Sequence, residues 1–153
     1  MGSAPEDRPM ADPDRVLVPT LGRPQEDEAL SYALETFPDA EITLLAVVTP
    51  LDAPLSEGGV LERREERTTQ ARASAAELLE SVAGPDTGDR VRIALAEGRP
   101  GTVVPRYASE AGIDHVVMAG DRTRSNWFIR RFLGRDIATT VVERTTQPVT
   151  ILE

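Results

Sequence analysis

The chain has 153 residues, a formal net charge of -9 and no cysteine, which suits one domain of ordinary size and excludes disulfides and thiolate metal sites. Its 17 basic residues are all arginine against 26 acids, so the broad basic face of a duplex-binding protein is lacking and no nucleic-acid partner is expected. No apolar run is long enough to span a bilayer, and the opening "MGSAPEDRPMADPD" lacks a signal peptide's apolar core, which together predict a cytoplasmic protein with no membrane insertion.

Residues 1–13, polar and proline-containing, read as a flexible tail ahead of a domain over 14–153. "RVLVPT" (Arg15 to Thr20) is a short apolar run, and "EDEALSYALETF" places Ala29, Leu30, Ala33, Leu34 and Phe37 at helical spacing, so a strand is followed by a helix. "EITLLAVVTP" predicts a second buried strand, and the loop "LDAPLSEGG" leads into a long helix over 61–83 closed by Gly84 and Pro85. "DRVRIALAEG" alternates Val91, Ile93 and Leu95 as a third strand. "TVVPRYASEAG" supplies a helix stopped at Gly112, and "DHVVMAG" a fourth strand. Ile137, Ala138, Val141 and Val142 form one helical stripe, and "QPVTILE" closes the chain as a fifth strand. Strict alternation of near-continuous apolar strands with helices predicts an α/β fold, a mainly parallel sheet covered by helices on both faces. Such sheets bind ligands beyond the carboxyl ends of their strands. The loops of interest are therefore "TLGRP", "TPLDAP", "EGRPG" and "GDRTRSN".

Taken in order, "RVLVPTLGRPQEDEALSYALE", "ITLLAVVTP", "AEGRPGTVVPRYASEAGIDHVVMAG" and "QPVTILE" resemble the universal stress protein family over residues 14–153, including its Gly-x-Pro at Gly98 and Pro100. The resemblance implies a five-stranded, Rossmann-like fold of the adenine nucleotide alpha hydrolase type, often dimeric. One branch of the family binds ATP and another does not, and members serve in stress response and regulation, generally without efficient catalysis. The ATP branch carries G-x-x-G, nine residues, then G followed by Ser or Thr, after strand four. Here Gly120 fits the first glycine, Thr123 stands at the second, ten residues precede Gly134, and Arg135 replaces the Ser or Thr. Leu21 falls where the family has an aspartate after strand one. The resemblance leaves Thr20, Val47, Gly98 and Gly120 as residues for an adenine nucleotide, with no bound nucleotide as the other outcome.

Five arginines lie between Arg122 and Arg135, and two readings of them stay open. Arg122, Arg124 and Arg135 supply bidentate phosphate contacts in place of lost glycine amides, or the cluster is a solvated loop with weak ion pairs to Asp121 and Asp136. Trp127 reads as core or interface packing, with stacking on adenine as the alternative. His115 reads as a satisfied strand histidine, and Ser109 and Ser125 show no activating base, so no enzyme is expected. The "ERREER" run, 62–67, reads as a solvated helix face. Val149 and Ile151 on the last strand predict a homodimer formed along a sheet edge, and a protein partner stays unidentified. Abundant carboxylates without lysine fit a halophilic cytoplasm; a GC-rich genome favouring arginine codons is the other explanation.

Overall fold

Side chains alternate across β1 (Arg15–Thr20), and that alternation builds the two halves of the core. The computed structural model describes residues 13–49, 60–84, 87, 89–120 and 137–152, with backbone alone for 60–63. Residues 1–12 of the predicted tail and the arginine-rich segment 121–136 lie outside the described residues. After β1 come α1 (Glu26–Thr36), β2 (Glu41–Val48), α2 (Val60–Val82), β3 (Val91–Glu97), α3 (Pro100–Glu110), β4 (His115–Ala119), α4 (Ile137–Arg144) and β5 (Val149–Leu152). The strands form one sheet in the order β3-β2-β1-β4-β5, and every pairing is parallel.

Val16 and Val18 face one way and join Ile42, Leu44 and Val117 under α1, through Ala29, Leu30 and Ala33, and under α2, through Ala75. Leu17 faces the other way and joins Leu45, Val116 and Met118 beneath Val103 and Val104 of α3 and Ala138 and Val141 of α4. Each large side chain fully buried in these layers stabilises the fold by about 1.5–3 kcal/mol relative to exposure. The predicted fold class is thus the observed one. Within α4 the stripe is narrower than expected, because Val142 is 46% exposed while Val141 is fully buried. Consecutive helical residues are rotated by about 100°, so the two cannot share a narrow contact line.

Polar side chains fix the amino-terminal end of the sheet. Asp114 accepts hydrogen bonds from the backbone amides of Asp14 and Arg15, both at 3.0 Å. Arg90, just before β3, donates to the carbonyl of Phe37 at 2.7 Å and reaches those of Leu34 and Ala40 at 3.5 Å. It thereby adds a charged donor to carbonyls at and just beyond the end of α1, one of which, that of Phe37, also accepts the Ala40 amide. On the opposite face α3 and α4 approach closely at Gly101, where a Cβ would stand 2.7 Å from Cγ2 of Thr140.

Candidate functional site

Strand order reverses direction between β1 and β4, the position at which open α/β sheets leave a crevice. A proline widens it here. The amide of Glu41 donates to Asp14 and that of Asp114 to Arg15, so even residues of β1 face β2 and odd residues face β4. That alternation directs Pro19 toward β4, and proline has no N–H to continue the ladder. The register of β1 with β4 accordingly stops at Leu17 with Val116, while that with β2 runs on to Thr20 with Ala46.

The turn after β1 closes on a buried carboxylate. Gly22 at φ 81 and Gln25 at φ 72 fold the chain back, so that the first residue of α1, Glu26, reaches the turn it has just left. Glu26 is only 4% exposed. Its Oε1 accepts the Thr20 hydroxyl at 2.6 Å and the Gly22 amide at 3.2 Å, and its Oε2 accepts the Leu21 amide at 2.7 Å. Three donors offset the cost of burying the charge, and the amino end of a helix is a favourable place for it.

That turn also frees an acceptor. The alternation that sends the Glu41 amide to Asp14 turns the Val47 carbonyl toward β1, where its next ladder partner would be the amide of Gly22. Glu26 has taken that amide, so among the described residues no loop amide reaches the Val47 carbonyl at the crest of the sheet. Beside it lies a cavity of about 420 Å³, with Thr20, Leu21 and Gly22 on one side and Ala46 to Thr49 beneath. Arg67, Gln70, Ala71 and Ser74 of α2 form the opposite wall. The spacing i, i+3, i+4, i+7 puts those four on one helical face. Arg67 makes no ion pair among the described residues. The volume lies within the range of small-molecule sites, about 300–1,000 Å³.

A model of the universal stress protein family matches residues 13–153. The chain belongs to this family. The universal stress protein UspA from Lactobacillus plantarum superposes with a TM-score of 0.73 at 19% identity, over 94% of this chain and 99% of the other. A universal stress protein in complex with cAMP gives a TM-score of 0.66 at 16% identity, over 94% of this chain and 99% of that one. A universal stress family protein from Arabidopsis thaliana with AMP bound gives 0.57 at 13% identity, over 92% and 91% of the two chains. These likenesses establish a shared fold. No curated protein sequence matches the chain.

Among the residues expected to hold a nucleotide in this universal stress protein, Thr20 and Val47 come together on the cavity. The two glycines engage their amides elsewhere. Gly98 donates to the Val48 carbonyl at 2.9 Å, and Gly120, buried, donates to the Leu152 carbonyl at 2.7 Å. Both therefore continue the sheet. Arg122, Thr123, Arg124, Gly134 and Arg135 lie outside the described residues, as do Ser125 and Trp127. His115 lies at the amino-terminal start of β4, away from the cavity, and pairs with Thr150. Burial holds its pKa below the ordinary value. Ser109, exposed near the end of α3, makes no hydrogen bond to it.

Two parts of the site were not singled out in the sequence. Glu26 had been read only as the start of a helix, and its signal is an acid six residues after Thr20 across a glycine-containing turn. The "ERREER" run is not simply a solvated face: Arg64 pairs with Glu97 at the end of β3, its Nε at 3.1 Å from Oε1, and Arg67 enters the cavity wall. The signal there is helical phase, since Arg67, Ala71 and Ser74 flank the buried Ala75.

Proposed function

We propose that this universal stress protein is a cytoplasmic ligand-responsive module that binds an adenine nucleotide, with the nucleoside end in the cavity between β1, β2 and α2. The observation that carries the reading is the open Val47 carbonyl beside Thr20 at the mouth of a cavity of about 420 Å³. The named complexes of similar folds, one with cAMP and one with AMP, support the choice of ligand. The phosphates are assigned by sequence to the segment following β4, where Arg122, Arg124 and Arg135 supply guanidinium donors. The role in this reading is binding rather than turnover, and the described lining of the cavity offers it one arginine, a glutamine and hydroxyl groups.

The test is calorimetric titration with AMP, ADP and ATP, together with mass spectrometry of the supernatant from denatured protein. Binding or a copurified nucleotide is expected. Neither would leave the second reading, a dimeric interaction module with no nucleotide bound. That reading is favoured by β5, which ends the sheet order and carries half-buried Val149 and Ile151 along the edge. In both readings the acidic surface serves solubility in a salt-rich cytoplasm.

A further inference from the structure

We propose that Glu26 determines specificity in the β1–α1 turn: it closes the turn to anions and leaves the cavity an acceptor edge, which takes a neutral ligand group bearing N–H or O–H donors. The identity of the ligand rests on the nucleotide reading above, whereas the closure does not.

Backbone amides in a turn leading into a helix ordinarily make an anion site. Here the Leu21 and Gly22 amides are bound to Glu26 at 2.7 and 3.2 Å. A phosphate or carboxylate aimed at them must expel a side chain that is 4% exposed, or rest against its like charge in a poorly solvated place. The hydroxyl of Thr20 is committed in the same way. It donates to Glu26 at 2.6 Å, so only its oxygen lone pairs are left for the cavity that Thr20 lines. The Val47 carbonyl adds a second acceptor, which no loop amide among the described residues engages, since Glu26 has taken that of Gly22. One carboxylate thus removes three donors from the rim and frees one acceptor. A base amino group satisfies such an edge; a base edge without an N–H meets only other lone pairs. The anionic end of the ligand must lie away from this turn.

Amide NMR of the intact chain decides the closure, with inorganic phosphate as the probe. The Leu21 and Gly22 resonances of the parent should stay unmoved as phosphate is added. In Glu26→Ala they should shift with phosphate, and in Glu26→Gln, which keeps the shape without the charge, they should shift to a smaller extent. Spectral dispersion reports whether each variant is folded. Movement of these amides in the parent, or no movement in either folded variant, overturns the proposal. The acceptor edge is read by titrating the parent with AMP and with purine riboside monophosphate, which lacks the amino group and has no N–H on its base. AMP should bind at least about tenfold more tightly, and equal affinities overturn the acceptor edge. If neither nucleotide binds, the nucleotide reading falls and takes the donor-bearing ligand with it, while the phosphate titration still decides the closure.

Discussion

Nε2 of His115 on β4 lies 2.8 Å from Oγ1 of Thr150 on β5, and the imidazole tilts against Phe37 with ring centroids 5.0 Å apart. Burial in this setting lowers the histidine's pKa from its ordinary 6.5. The unfolded chain therefore takes up the proton more readily than the folded one. Its contribution to stability is present above pH 6.5 and is lost as the pH falls from there through the lower folded value. Urea midpoints measured against pH should decline on the acid side of 6.5, and His115→Gln should flatten that part of the profile. An unchanged slope in the variant would assign the decline to other groups.

A Cβ on Gly98 would stand 2.5 Å from Cγ2 of Val103, at a φ of 143° that L side chains rarely adopt. Gly98→Ala should therefore destabilise the fold by about 1–3 kcal/mol, through backbone strain and displacement of a core valine. Denaturant unfolding measures it. A loss below about 0.5 kcal/mol, the scale of an ordinary surface change, would mean that the β3–α3 turn relaxes freely.

Arg67 and Arg72 stand differently toward the cavity. Arg67 lines the cavity, whereas Arg72 is exposed and does not. At about 1 M salt the Debye length is roughly 3 Å, so only a direct contact survives. Calorimetry in molar KCl should show Arg67→Ala weakening AMP about tenfold, the scale of one charge-assisted hydrogen bond, and Arg72→Ala leaving it unchanged. Equal affinities for the two variants would remove Arg67 from the ligand's surroundings.

Arg90 reaches three carbonyls around the end of α1, whereas Arg92, two residues along β3, is exposed. Arg90→Ala should cost about 1.5–3 kcal/mol, since hydrogen bonds from a charged group to carbonyls of buried residues are lost. Arg92→Ala should cost no more than about 0.5 kcal/mol. Comparable losses in thermal unfolding would contradict the capping role.

The dimer has its own test in the edge strand. Sedimentation equilibrium at micromolar concentration in molar KCl should give the mass of two chains, and Thr150→Pro should shift the population toward the monomer by disturbing the backbone of the edge strand. A monomeric parent would overturn the dimeric interaction module.

Strand and helix positions were legible in the sequence because each element repeats a local rule. Alternation of Val16, Leu17 and Val18 builds the two cores, and helical spacing of Ala29, Leu30 and Ala33 orients α1. Parallel topology followed from the alternation of element types, and the family motifs pointed to Thr20 and Val47 at the crest of the sheet. Those features depend on residues near one another in the chain or on a recurring pattern, so composition and spacing sufficed for them.

What only the tertiary structure decided depends on where distant groups meet and which hydrogen bonds are already used. Gly98 and Gly120 follow the third and fourth strands in sequence, and only the fold shows Val48 and Leu152 accepting their amides across neighbouring strands. Glu26 looks like one acid among three at a helix start, and only the return of the turn brings its carboxylate onto Thr20, Leu21 and Gly22. Arg67 belongs to a charged run whose helical phase against the sheet carries it into a cavity wall. A backbone donor has one proton to give, and which acceptor receives it is decided by register and packing, not by residue type.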